Sequence, residues 1–456
     1  MNNFFSVKHS SNKSKARLGE IKTDHGVIKT PAFVAVGTKG TIKALTPELI
    51  KKIGVQTAFV NTYHLVTHPG AEIIEKAGGI HKYSGLNMPL MSDSGGFQVF
   101  SLASPKRQFA AKVGLIKISN FQSEVPPSSR LRRTKEEEPF VVKISDDGVK
   151  FRSTFDGKLI EFTPEKSMEF QRQIGADINM AFDECTYYPA TYEYAEKAMK
   201  RTHEWLKRCV NYTKTRQSNF YHTRVSPSPK GGVPLESEKI TSPSSLTNHQ
   251  SLTTNNQFLY GVIQGGTFED LRKKSAEFVV SQDTPGVAIG GVSVGETKKE
   301  MRDQVEWVSD YLPKDRPVHL LGVGQIDGII DLVKYGVDTF DCVEPTRLAR
   351  MGLIYRSRIS DFSTATPQRG PWRLSQNQKS SLSEHLDINK SIYKNNLEKV
   401  DIDCNCYVCK NFTKSYLHHL FKQREILGYT LATFHNLWVM EKLFEKIREV
   451  IINDNI

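Results

Sequence analysis

The 456-residue chain carries 62 Lys and Arg against 50 Asp and Glu, a formal net charge of +12. Such a surplus favours an anionic partner, and nucleic acid is the commonest large one for a soluble protein. No apolar run reaches about 18 residues, and Met1 to Glu20 lacks the apolar core of a signal peptide, so membrane insertion and secretion are not expected. The cytoplasm is the expected location, although that opening stretch is basic and free of acids before Glu20, as transit peptides are.

Length allows two average domains or one large α/β barrel with insertions. In chain order, short apolar runs bounded by turn signals give eight strand candidates: 31–37, 57–61, 88–93, 176–183, 258–266, 286–291, 318–324 and 337–341. Helix-like stretches separate most of them, among them "TPELIKKIG", "TPEKSMEFQRQIGA" and "FEDLRKKSAEFVVSQ". Thr46 and Thr163 are expected N-caps, each followed by a proline suited to the first turn. Near-continuous apolar strands alternating with helices predict a (β/α)8 TIM barrel, with a doubly wound open sheet as the alternative. Three polar segments, 103–140, 216–257 and 360–400, interrupt this rhythm and read as flexible insertions in a single catalytic domain spanning 1–456.

A parallel barrel builds its active face from the loops at the carboxyl ends of its strands. Asp93, Asp183, Gln264 and Asp341 fall at such ends, beside glycine turns at Gly95 and Gly96, Gly265 and Gly266, Gly290 and Gly291, and Gly322 and Gly324. Together they supply what a planar base needs: carboxylates for N–H groups, an amide, and backbone that approaches without a Cβ in the way. Asp93 and Asp341 could divide the breaking of an N-glycosidic bond, one attacking the anomeric carbon and the other moving protons. The plainer reading is that these acids cap helices or pair with Arg347 and Arg350. Cys342 adjoins Asp341, and the residues alone leave open which of the two does chemistry.

Three of the six cysteines cluster as Cys404, Cys406 and Cys409 in "DCNCYVC". That C-x-C-x2-C spacing suits metal thiolates in a reducing compartment, with Zn2+ the default ion. His418, His419 and His435 are the downstream candidates for a fourth ligand, and spacing does not choose among them. Four protein ligands would leave no open position, so the ion would be structural.

Seven ordered motifs carry a resemblance: "PLMSDSGGFQVFSL", "NMAFDECTYYPA", "YGVIQGG", "AIGGVSVGE", "HLLGVG", "TFDCVEPTRLARMG" and "CNCYVCK" with its downstream "YLHHL" and "EILGYTLATFHN". The chain resembles the tRNA-guanine transglycosylases of bacterial type from about Phe5 to near its C-terminus. The resemblance implies a zinc-bearing barrel, with the zinc subdomain inserted at 355–436, that exchanges guanine for a 7-deazaguanine at the wobble position of tRNAs with a G-U-N anticodon. It implies Asp341 as nucleophile, with Cys342 a bystander, and Asp93 as general acid and base.

The same resemblance puts Asp183, Gln264 and Gly291 on the edge of the base, Phe97 and Leu321 on its faces, and Arg347 and Arg350 on the anticodon loop. It also implies Cys404, Cys406, Cys409 and His435 as zinc ligands, and a homodimer. Val294 and Cys185 occupy positions that set pocket size, and a valine would crowd the cyclopentenediol of queuine, which favours preQ1, 7-aminomethyl-7-deazaguanine, as incoming base. A queuine-inserting enzyme and a non-catalytic, zinc-stabilised tRNA-binding relative are the alternatives.

Overall fold

The computed structural model describes residues 4–98, 141–153, 155–224, 256–357 and 385–456. An antiparallel sheet of β1 (Phe5–Ser10), β2 (Arg17–Thr23) and β3 (Gly26–Thr30) precedes a closed parallel barrel. The barrel strands are β4 (Ala32–Val36), β5 (Ala58–Val60) and β6 (Leu90–Ser92), then, after a small antiparallel sheet of β7 (Val141–Ser145), β8 (Gly148–Arg152) and β9 (Leu159–Phe162), β10 (Ile178–Met180), β11 (Phe258–Ile263), β12 (Gly286–Ile289), β13 (Val318–Leu320) and β14 (Thr339–Cys342). Each pairs with the next in chain order, and the ring closes by β14 on β4 and β6 on β10. This is the (β/α)8 barrel that the sequence predicts, with every expected strand in its place.

The strands are apolar throughout because both faces are covered. All of β4 and β12 is buried, one face toward the barrel interior and the other toward helices. Thr46 and Thr163 cap helices Pro47–Ile53 and Pro164–Ile174 by accepting from Leu49 and Lys166 amides. The final helix, Ile426–Ile452, sets Phe444 against Phe33 of β4, with ring centroids 6.2 Å apart, and against Phe340 of β14, at 5.7 Å. No helix among the described residues is long and apolar enough to cross a membrane.

The amino-terminal sheet plugs the lower end of the barrel. Ile21 and Ile28 reach into the interior cluster formed by Val34, Met91, Tyr260 and Ala288. Arg17 fastens this plug: its guanidinium grips the buried Asp338 carboxylate through Nε at 2.9 Å and Nη2 at 2.6 Å, and also donates to the carbonyls of Pro313, Lys314 and Arg316. Nearby, Asp177 accepts from His25 at 2.7 Å and His81 at 3.1 Å. With the floor closed by packing and ion pairs, the strands' carboxyl ends are left to form the site.

Two of the expected insertions depart in part from the sequence reading. The segments 103–140, 225–255 and 360–384 lie outside the described residues, whereas 216–224, expected to be loop, continues the helix Tyr192–Arg224. Residues 385–400 are also structured: β16 (His385–Asp387) pairs with β15 (Leu353–Tyr355), and Leu386, Ile388 and Val400 are buried. Those few apolar residues are diluted among polar ones in sequence, so composition concealed them. The sheet β7–β9 was not anticipated. It buries Phe151 against Tyr63 at 5.5 Å and Phe162 near Phe182 at 6.1 Å, covering the flank of the barrel beside β6.

Candidate active site

Asp93 follows β6 and is held from the neighbouring β5 loop. Its Oδ1 accepts from the Thr62 amide at 2.6 Å, its Oδ2 from the Asn61 amide group, and its carbonyl from Thr62 Oγ1. Burial pushes the carboxyl up to about 7, against hydrogen bonds from Thr62, Asn61 and Gln98 that favour the ionised form. A carboxyl poised near neutrality can both give and take a proton at working pH.

Asp183, after β10, is buried, with Ser94 Oγ donating to Oδ1 at 2.9 Å and Gln264 Nε2 to Oδ2 at 2.7 Å. Desolvation raises this carboxyl to about 6, so it is ionised at neutral pH. The Gln264 side chain, at the end of β11, is thereby fixed with its Oε1 buried and without a partner among the described residues. A buried unpaired acceptor is costly, so this oxygen marks where a ligand N–H belongs. Glycine is required at two walls of this pocket: a Cβ on Gly96 would meet the Asp183 carbonyl at 2.5 Å, and one on Gly291 would meet Gln264 Oε1 at 2.2 Å.

Asp341 sits near the end of β14, with β4 and β5 between it and β6. Its Oδ1 accepts from the Gly322 amide at 2.8 Å and lies 3.2 Å from His319 Nε2, while Oδ2 has no partner among the described residues. Cys342 points away and is buried. Desolvation raises its thiol to about 12 and its sulfur accepts from the Glu344 amide at 3.3 Å, so at neutral pH it is a protonated packing residue.

The remaining expected contacts line the same end of the barrel. Phe97 is 43% exposed just past Asp93, as a stacking face would be before a base arrives. Leu321, directly after β13, packs partly on the interior cluster. Val294 is buried in the loop after β12, where Glu296 accepts from the Ser293 amide and from the Val294 amide at 2.9 Å. Cys185 lies close enough to Arg272 and Glu296 to feel their charges, and burial raises its thiol. Arg347 and Arg350 are half-buried on helix Glu344–Arg350, the turn after Asp341, where Arg350 donates to the Thr346 carbonyl at 2.6 Å.

Cys404, Cys406, Cys409 and His435 converge, all buried. His435 Nδ1 lies 3.5 Å from Cys406 Sγ and 3.3 Å from Cys409 Sγ, close to the edge of a tetrahedron about one ion. His435 Nε2 donates to the Tyr355 carbonyl at 2.8 Å, which fixes the tautomer and turns the Nδ1 lone pair toward the thiols. Folding thus selects His435 among the three candidates. His418 is spent on the Ile388 carbonyl at 2.7 Å, and His419 is outside the cluster. The donor set can hold a metal ion, and replacement of Cys406 by Ser is expected to lose the ion and several kcal/mol of stability. Metal content per chain and a melting curve check this together.

The family model described as queuine tRNA-ribosyltransferase matches residues 11–123 and 135–456. The chain belongs to this family. It is 39% identical over 444 residues to the queuine tRNA-ribosyltransferase of Caldanaerobacter subterraneus, covering 97% of this chain and 92% of that one. Proteins of the same name from Natranaerobius thermophilus and Roseiflexus are each 36% identical, over 99% and 98% of this chain and 95% and 96% of theirs.

Beyond the residues foreseen, this queuine tRNA-ribosyltransferase family member holds its site with groups that the sequence reading missed: Asn61, Thr62, Ser94, Glu296, His319 and above all Arg272. The fully buried Arg272 guanidinium donates to the carbonyls of Gly266 at 2.7 Å, Gly290 at 2.6 Å and Gly291 at 2.7 Å, and to Gln304 Oε1 at 2.7 Å. It ties the loops after β11 and β12 together beneath the Gln264 amide. A signal was available: Arg272, Ser275, Ala276 and Val279 lie at i, i+3, i+4 and i+7 on the buried face of helix Glu269–Ser281. Arg272→Met strands those carbonyls, so a loss on the order of 3 kcal/mol in stability is expected. The KM for the free base should rise about tenfold or more with a smaller change in the KM for RNA, because a displaced loop spoils base orientation. Steady-state kinetics with each substrate varied separately tests the asymmetry.

Proposed function

We propose that this protein exchanges guanine at the wobble position of G-U-N anticodons for preQ1, through a covalent ribosyl ester on Asp341. The observation that carries the reading is the disposition of three carboxylates on one barrel face: Asp341 with one oxygen anchored and one unpartnered, Asp93 near neutrality, and buried Asp183 clamped to Gln264.

In the first half-reaction Asp341 Oδ2 bonds to C1′ as the C1′–N9 bond breaks, and Asp93 gives its proton to the departing guanine. The ionised Asp183 and the unpaired Gln264 Oε1 accept N–H groups from the edge of the bound base, while Phe97 and Leu321 lie on its faces. In the second half the incoming base gives a proton back to Asp93 and its N9 displaces Asp341, restoring configuration at C1′. Arg347 and Arg350, on the turn that follows the nucleophile, hold the anticodon loop beside the exchanged base.

The Cys404, Cys406, Cys409 and His435 site holds structural zinc, a choice that soft thiolates and one imidazole favour. The protein acts in the cytoplasm as a homodimer. PreQ1 is favoured over queuine because Val294 is a buried branched side chain in a loop pinned by Glu296, with little freedom to admit a cyclopentenediol.

The test is incorporation of labelled guanine into an anticodon stem-loop bearing U-G-U, with preQ1 or queuine as competitor. Inhibition by preQ1 alone is expected. Inhibition by queuine would overturn the substrate assignment, and RNA binding without incorporation would favour the non-catalytic reading.

A further inference from the structure

His319 is the one titratable side chain that β13 sends into the barrel interior directly behind Asp341. It is wholly buried, its ring lies parallel to Phe59 with centroids 5.6 Å apart, and its Nδ1 sits 2.9 Å from Thr339 Oγ1. These contacts leave the ring little freedom to turn. Its Nε2 lies 3.2 Å from Asp341 Oδ1 and is buried, yet it makes no aligned hydrogen bond among the described residues, Oδ1 included. A carboxylate only accepts, so its proximity favours the tautomer with the proton on Nε2, in which Nδ1 accepts from the Thr339 hydroxyl. Buried donors without aligned partners are costly, and catalytic hydrogen bonds often align only when the reacting group moves.

We propose that His319 is a positioning residue for the Asp341 nucleophile. Together with the Gly322 amide it holds Oδ1, so that Oδ2 is the oxygen presented to the sugar, and it stabilises the negative charge that returns to Oδ1 when the ester breaks. The proposal rests on Asp341 being the nucleophile. As Oδ2 bonds to C1′ and N9 leaves with the bonding pair, Oδ1 changes from half of a carboxylate to a neutral ester carbonyl. When N9 of the incoming base bonds to C1′, the C1′–Oδ2 pair returns to Asp341 and the charge is again shared with Oδ1. A donor fixed at Oδ1 therefore favours the carboxylate over the ester and speeds ester breakdown more than ester formation. Thr339 sets the tautomer that makes this possible, two residues before Asp341 and on the same strand face.

The experiment compares His319→Phe, which keeps the ring and removes the donor, with His319→Gln, which restores an N–H at similar reach. In the Phe variant kcat for exchange should fall about tenfold or more, on the scale of losing one donor to the charge that develops as the ester breaks. KM for RNA should stay within about threefold, because no RNA contact changes. The diagnostic readout is the fraction of enzyme trapped as RNA adduct at steady state on denaturing gels. It should rise in the Phe variant while exchange falls, and Gln should recover both toward wild type.

An unchanged kcat in the Phe variant overturns the proposal. So does a parallel fall of adduct and exchange in both variants, which is the pattern of a packing defect. Asp341→Asn run alongside separates the two readings. An adduct that persists without the Asp341 carboxylate removes the nucleophile assignment itself, whereas its disappearance together with normal kinetics in the His319 variants removes only the role of His319.

Discussion

Asp341→Asn is expected to abolish the covalent RNA adduct and to reduce base exchange by on the order of 10⁴-fold, the scale seen when a nucleophile is removed. The substitution is nearly isosteric, and the retained carbonyl oxygen can still accept from the Gly322 amide that now bonds Oδ1 at 2.8 Å. What changes is the atom facing the sugar: an amide nitrogen has no lone pair free to form a glycosyl ester. RNA affinity should stay within a few fold, since Arg347 and Arg350 lie on the following turn and neither is hydrogen-bonded to Asp341. Adduct on denaturing gels, labelled-guanine incorporation and a binding titration make up the test. Persistent exchange in the variant would mean that another group attacks C1′. Cys342 is a poor substitute, because its buried thiol is held up near 12 and its sulfur is engaged by the Glu344 amide.

The second large effect concerns Asp93. Its carboxyl is raised to about 7 by burial, and in the proposed mechanism it must be protonated when RNA binds, so that it can give that proton to the leaving guanine. Above that value the free enzyme increasingly lacks the acid, so kcat/KM for RNA should fall tenfold per pH unit on the alkaline side. Asp93→Asn should lower exchange by about 10²- to 10⁴-fold and flatten that limb, as expected when one acid–base group is removed. An alkaline limb that survives the substitution would assign it elsewhere.

The same shift bears on stability. The unfolded carboxyl ionises near the ordinary 3.8 while the folded one holds its proton to about 7, so the folded state binds more protons across that window. The contribution is present below the lower value and is lost as pH rises through the upper one. A melting temperature followed from pH 4 to 8 should therefore fall less steeply, or rise, in Asp93→Asn relative to wild type.

The sequence by itself determined the barrel. Each parallel strand is buried on two faces, so it needs a near-continuous apolar run, and such runs between glycine turns stand out without any knowledge of pairing. It also located the strand-end acids and the thiolate cluster, because strand ends project onto one face in a parallel barrel and because C-x-C-x2-C is compact in the chain. Tertiary structure decided the rest. His435 joins cysteines 26 to 31 residues away because a long helix returns past them, and the Tyr355 carbonyl, 80 residues distant, turns its ring.

Arg272 and His319 gain their places in the same way. The first reads as an ordinary helix cation until the loops after β11 and β12 are seen to converge on it, and the second as a histidine in an apolar strand until β14 sets Asp341 beside it. The physical reason is common to all three. Local pattern encodes which face of an element is buried, but the chemistry of a buried polar group is fixed by partners from other elements, and only closure of the barrel and return of the last helix bring those within hydrogen-bonding reach.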